Sequence, residues 1–199
     1  MELIVATKNK KKLEEIREIL KDTEFSLKSL LDYPRKIRIV ENGKSFKENA
    51  IKKAVKVAKV TKTLSLGEDS GLCVNFLKGA PGVYSSRFSG KNKSDAQNNL
   101  KLLKLLEGIP LSGRRAHYAC AVALADKNGL LGVVEGWCYG AISLKLKGRR
   151  GFGYDPLFIV AGYNKTFGQL SEGIKHKISH RYNALNKARK IIQKYIENG

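Results

Sequence analysis

The sequence predicts an α/β domain built on a mixed, twisted central sheet with flanking helices. Helical patterns interleave with short strands at both ends of the chain, and a β-hairpin sits in the middle. The 199 residues contain only four prolines and show no internal repeat or low-complexity linker, so one continuous domain over 1–199 is the economical organisation.

The elements follow in order. The apolar run LIVA (3–6) reads as a first strand, and KKLEEIREILK (11–21) puts Leu13, Ile16 and Leu20 on one helical stripe. RKIRIVE (35–41) alternates like a strand and ends on Glu41. SFKENAIKKAVKVAKV (45–60) opens with Ser45 and Glu48 at capping-box spacing and runs on as an amphipathic helix. TLSL (63–66) and LCVNFL (72–77) read as strands flanking an acidic corner at Glu68 and Asp69. DAQNNLKLLKLLEG (95–108) reads as a helix ended by Gly108. AHYACAVALA and LLGVVEGWCYGAIS form a hairpin across the turn DKNG. PLFIV (156–160) is a further strand. SHRYNALNKARKIIQKYIE (179–197) closes the chain as a helix with Leu185, Ala188, Ile192 and Tyr195 inward.

Composition narrows the function classes. A hydrophobic fraction of 42% supports a substantial core and argues against disorder. The longest apolar run, YACAVALA (118–125), is far short of the roughly 18–20 residues that span a bilayer. The N-terminus places a short apolar run before its lysines, the reverse of a secretory signal, so a cytoplasmic protein is expected. Cys73, Cys120 and Cys138 lie far apart in apolar segments and read as buried, reduced thiols. His117, His176 and His180 show no zinc-binding spacing. The net charge of +20 favours polyanionic partners, nucleotides among them, without choosing one.

Four segments carry chemistry. ATKNKKK (6–12) lies between a strand and a helix start, where backbone N–H groups and four lysines attract phosphate, although it lacks P-loop spacing. LGEDSGLCV (66–74) sets Glu68 beside Asp69 between glycines. With Glu41 they offer hard oxygen ligands to Mg²⁺, and Asp69 could deprotonate a water for attack at phosphorus. An Asx-turn joining two strands is the plain alternative there. GRRGFGYDPLF (148–158) brackets Phe152 with glycines and offers Phe152 and Tyr154 as stacking faces for a flat ligand. KHKISHRYNAL places His180 and Arg181 at a helix start, as paired donors for a carbonyl acceptor.

Together VATKNKKKLEEI, SFKENAIKKA, EDSGLCV, GAPGVYSSRFSG, GFGYDPLF and ISHRYNAL, in order and nearly end to end, resemble the inosine triphosphate pyrophosphatase (Ham1-like) family. The resemblance implies hydrolysis of non-standard purine nucleoside triphosphates (ITP, dITP, XTP) to the monophosphate and pyrophosphate. It also implies a Mg²⁺ requirement, a homodimer, and an elongated α/β domain with two lobes around an active-site cleft. Neither a membrane nor a specific nucleic-acid partner is expected. Carried over by position, Thr7, Lys8, Asn9, Lys10, Lys11 and Lys12 would hold the triphosphate, and Lys53 would neutralise phosphate charge. Asp69 would be proton acceptor and metal ligand, with Glu41 and Glu68 as further acids at the metal and Ser70 touching substrate. Phe152, Gly153, Tyr154 and Asp155 would form the base pocket with Lys175, His180 and Arg181.

A pocket of donors suits the C6 oxygen of hypoxanthine or xanthine and leaves the amino group of adenine unpaired. Such a mismatch costs roughly 1–3 kcal/mol, about ten- to a hundredfold against ATP. Three positions depart from the family pattern: Lys8 where a small residue is common, Glu68 where Asp is commoner, and GIKHK (173–177) where the stretch is usually more acidic. The alternatives are a Maf-like nucleotide pyrophosphatase, whose opening loop differs from ATKNKKK, and a basic nucleic-acid-binding protein without turnover.

Overall fold

The computed structural model describes residues 1–33, 37–90 and 94–197. Its sheet is mixed and six-stranded, in the order β2-β1-β3-β4-β5-β6. The strands are β1 (Glu2–Val5), β2 (Ser26–Ser29), β3 (Ser65–Val74), β4 (Arg115–Asp126), β5 (Gly129–Ile142) and β6 (Phe158–Val160). β1 runs parallel to β2, with Glu2 opposite Ser26, and parallel to β3, with Ile4 opposite Ser65. β5 and β6 are antiparallel, with Gly140 opposite Val160. The helices are α1 (Lys10–Ile19), α2 (Phe46–Thr61), α3 (Asp95–Leu105), α4 (Glu172–Ile178) and α5 (His180–Glu197). None of the described helices is long and apolar enough to cross a membrane.

Local chemistry sets several boundaries. Asn9, Ser45 and Ser94 cap α1, α2 and α3, each accepting the backbone N–H three residues on. The carboxylate of Asp126 accepts the N–H groups of Asn128 and Gly129 and closes the β4–β5 turn. Gly108 sits at φ +76° just beyond α3, the left-handed conformation that costs glycine least. The three cysteines are free thiols, with Cys120 and Cys138 buried and Cys73 half-buried.

Two compact units divide the chain, residues 1–69, 120–136 and 181–199 forming one and residues 70–119 and 137–180 the other. In the first, alternation along the strands builds two different cores. Leu3 and Val5 of β1, Leu66 of β3, and Cys120, Val122 and Leu124 of β4 pack with Leu13, Ile16 and Ile19 of α1 and with Leu185, Ala188 and Ile192 of α5. The intervening residues Ala121, Ala123 and Ala125 meet Ala50, Ala54 and Ala58 of α2. Large side chains therefore fill one face of β4, and alanines let α2 lie close on the other. The second unit has its own core, in which Leu72, Val74, Leu102, Leu106, Tyr118, Ile142, Phe158 and Phe167 are all buried.

Two sequence expectations are corrected. RKIRIVE is not a strand over its described part: residues 37–41 have no regular secondary structure, while Arg35 and Lys36 lie outside the described residues. The Glu68–Asp69 corner is no turn either; both residues lie within the single strand β3. Gly67 owes its presence to packing. A Cβ there would stand 2.1 Å from the Ala50 carbonyl oxygen and 2.6 Å from the Ala54 nitrogen, both on α2. Gly67→Ala must push α2 off the strand, and a destabilisation of about 1–3 kcal/mol or more is expected. Urea unfolding checks it, and an unchanged midpoint would contradict the close approach.

Candidate active site

Because β3 is a strand, Glu68 and Asp69 leave on opposite faces and meet different partners. Asp69 points to α2. Its Oδ1 accepts a hydrogen bond from the Lys53 ammonium at 2.9 Å, and its Oδ2 accepts one from Asn49 Nδ2 at 3.0 Å. Asn49 and Lys53 are four apart on α2 and so share a face. The same ammonium donates to Glu41 Oε2 at 2.7 Å and to the Glu68 carbonyl oxygen at 3.1 Å. Lys53 is only 6% exposed, and burial pulls its pKa down. The Asp69 and Glu41 carboxylates outweigh that and hold the ammonium above the ordinary lysine value.

Glu68 belongs to a second charge cluster on the α1/α5 side. Its Oε1 accepts from Arg181 Nη2 at 3.0 Å, and its Oε2 pairs with Lys12 Nζ at 2.8 Å. Arg181 also pairs through Nη1 with Glu15. Burial lowers the pKa of this 1%-exposed guanidinium, but Glu68 and Glu15 more than reverse the effect. The Cys120 thiol lies 3.4 Å from Glu68 Oε1; burial first, and that carboxylate second, push its pKa well up. It stays a protonated thiol.

The expected cluster of three acids is therefore not assembled. Among the described residues no group of three or more metal-binding side chains gathers at one point. Glu41 and Asp69 fit a divalent cation better than Glu68 does. They are two oxygen donors already facing one positive charge, whereas both oxygens of Glu68 are paired with cations.

The lysine loop is only partly drawn in. Asn9 accepts the Lys12 N–H through its side chain, and the Thr7 hydroxyl accepts the Asn9 N–H. Lys12 reaches Glu68, while Lys8, Lys10 and Lys11 are exposed.

In the second unit, Ser70 is half-buried on β3. Here Asp155 organises the loop that carries Phe152. Its Oδ2 accepts the Phe152 N–H at 2.9 Å and the Lys175 ammonium at 2.6 Å, and the Tyr118 hydroxyl lies 3.4 Å from Oδ1. Burial, then Asp155, push the Tyr118 pKa well up. Lys175 also stands 4.8 Å from the centre of the Phe152 ring. Gly151 is required by this arrangement: it has φ +74°, and a Cβ would fall 2.0 Å from Asp155 Oδ2. From α3, Asp95 accepts the Gly153 N–H at 2.8 Å and Asn99 donates to the Gly153 carbonyl at 2.9 Å. His180 stacks on Tyr118, with ring centres 4.6 Å apart and planes at 9°. The reading of Tyr154 as a stacking face is corrected. Its ring is 3% exposed within the core, and its hydroxyl donates to the Ser85 carbonyl. Phe152, half-buried, is the aromatic face the loop retains.

The sequence reading did not single out Glu15, Asp95, Asn99 or Tyr118. Glu15 carried a usable signal, since it lies directly beside Ile16 on the inward stripe of α1, where an acid must find a partner. Tyr118 carried another: it alternates with alanines along β4, which marks the large-residue face.

A nucleotide-processing α/β domain is what these features define: a buried acid on a central strand, a lysine-rich loop at a helix start, and an aromatic loop braced by an acid. The family model for the Ham1 family matches residues 3–191, and the chain belongs to that family. It is 48% identical over 98% of its length to a protein of Desulforamulus reducens named dITP/XTP pyrophosphatase, covering 96% of that protein. A relative of the same name from Halalkalibacterium halodurans is 45% identical over 96% of this chain and 98% of its own. The solved structure of a HAM1 protein from Coxiella burnetii superposes with a TM-score of 0.87 at 36% identity, covering 98% of this chain and 99% of that one.

Proposed function

We propose that the protein hydrolyses deaminated purine nucleoside triphosphates, dITP, ITP and XTP, to the monophosphate and pyrophosphate, and so clears them from the nucleotide pool. The name shared by its curated relatives supports this substrate class. The observation that carries the chemistry is the Asp69 carboxylate, held on β3 between Asn49 and Lys53 and sharing the Lys53 ammonium with Glu41.

In this reading water attacks the α-phosphorus, the bond from that phosphorus to the α–β bridging oxygen breaks, and pyrophosphate leaves. Asp69 takes the proton of the attacking water, since a carboxylate oxygen holding one hydrogen bond keeps a lone pair for another. Glu41 and Asp69 would hold Mg²⁺, which supplies charge neutralisation at the phosphate oxygens. Lys53 and Lys12 add fixed positive charge, and the loop at Thr7, Lys8 and Asn9, with Lys10 and Lys11 at the start of α1, takes the outer phosphates. Glu68 acts on this scheme through Lys12 and Arg181, the cations it holds. The base falls to Phe152, with Lys175, His180 and Arg181 as donors. Ser70 contacts the substrate as well. Organisation as a single catalytic domain with a cleft, a homodimeric state and a cytoplasmic location complete the proposal.

The test is pyrophosphate release with Mg²⁺ at equal concentrations of ITP, XTP, GTP and ATP, with product analysis. ITP and XTP should turn over at least about tenfold faster than ATP, the discrimination one unpaired polar contact supplies. Release of orthophosphate alone would place the attack at the wrong phosphorus and reject the reading.

A further inference from the structure

The segment that carries Glu41 has no regular structure, yet side chains of α2 hold it residue by residue. Glu41 pairs with Lys53. Asn42 accepts from Lys52 at 2.8 Å, the Gly43 N–H donates to Asn49 Oδ1 at 2.8 Å, and the Lys44 N–H donates to Glu48 at 2.9 Å. Asn49, like Lys53, bridges this segment and Asp69, but it does so with an uncharged amide that both accepts and donates. Its Oδ1 receives the Gly43 N–H, two residues from Glu41, while its Nδ2 donates to Asp69 Oδ2 at 3.0 Å. The side chain is 2% exposed, and a Cβ on Gly43 would stand 2.6 Å from Asn49 Oδ1, so the contact leaves no slack.

We infer that Asn49 is a positioning residue that clamps the Glu41 segment to Asp69, so that the two carboxylates grip a common divalent cation. An amide suits this task because one end accepts and the other donates, which fixes its orientation between a backbone N–H and a carboxylate. Aspartate has no donor for Asp69, and leucine of similar shape has neither function. The inference rests on the proposed assignment of Glu41 and Asp69 as metal ligands. It assigns Asn49 no contact with substrate.

Mn²⁺ alone, titrated into the full chain without nucleotide and followed by the electron paramagnetic resonance of the free ion, reads the grip directly. Asn49→Leu should weaken Mn²⁺ binding by about 10- to 100-fold, the usual cost of losing a residue that orients metal ligands. Glu41→Gln should weaken it comparably. The double variant should lose less than the sum of the two single losses, because one of the two groups that Asn49 holds together no longer contributes a carboxylate. Gly43→Ala, which crowds the Asn49 oxygen from the segment side, should reproduce the loss and keeps the question open to test if Asn49→Leu fails to fold. With ITP, kcat should fall while KM for the nucleotide stays within a few-fold. Wild-type Mn²⁺ affinity in folded Asn49→Leu, additive losses in the double variant, or no Mn²⁺ binding by the wild type would each overturn the inference. Absence of ITP turnover by wild-type protein that binds Mn²⁺ in this pattern would instead reject the substrate reading and leave the clamp standing.

Discussion

Asp69→Asn should lower turnover of ITP by about two to four orders of magnitude, the range that loss of a positioned general base produces. The substitution keeps the side chain's size and its place on β3, so the fold should survive. It removes the proposed proton acceptor and one of the two carboxylates that face the Lys53 ammonium. An amide also presents an NH₂ group as well as an oxygen, and whichever atom faces Lys53 or Asn49, one hydrogen bond in the trio is weakened. Pyrophosphate release under saturating ITP and Mg²⁺, with circular dichroism as the control for folding, measures the effect. Folded protein with near-wild-type turnover would remove Asp69 from the mechanism.

The largest effect on stability is expected at Arg181. Its guanidinium is buried with two acids, Glu15 and Glu68. Arg181→Met deletes the buried charge that Glu15 and Glu68 share, although Lys12 still compensates Glu68. Breaking a buried ion pair from one side typically costs about 3–5 kcal/mol, and urea unfolding should show a loss of that order. Adding Glu15→Gln to the Arg181→Met variant should recover part of it, since a neutral amide is cheaper to bury than a carboxylate that has lost its guanidinium. A loss below about 1 kcal/mol, the level of an exposed pair, would mean the cluster is solvated.

Much of the architecture was legible because its signals are local. The stripe of Leu13 and Ile16, the Ser45 cap, the alternation along 116–125 and the DKNG turn each specify an element without help from distant residues. The failures share a different cause. Whether Glu68 and Asp69 form a turn or a strand depends on Gly67. Its small size suits either case, and the close approach of α2 that decides the matter lies far away in sequence. Likewise RKIRIVE has the alternation of a strand, but residues 41–44 are held by side chains of α2 rather than by a neighbouring strand. Tyr154 looked available for stacking because a Gly-rich loop suggests exposure. Its burial follows from contacts with residues as remote as Ser85. At the site, residue types could be matched to roles position by position, but the pairing of cations with acids could not. Only the folded strand separates Glu68, with Lys12 and Arg181, from Asp69, with Lys53 and Asn49.

The alanine contact between β4 and α2 has a consequence for how this protein tolerates change. Ala50, Ala54 and Ala58 interleave with Ala121, Ala123 and Ala125, and all six are fully buried. The same helix carries Asn49 and Lys53. The contact thus works as a gauge block that sets how far those two side chains must reach for Asp69. A methyl group added at any of the six thickens the block, and the error is read out at the carboxylate, several residues from the change. Variation should therefore be tolerated less at these small, chemically inert positions than at the exposed lysines Lys8, Lys10 and Lys11. A defect arising in the block should yield to a compensating reduction in size on the opposite element, and to no adjustment of charge.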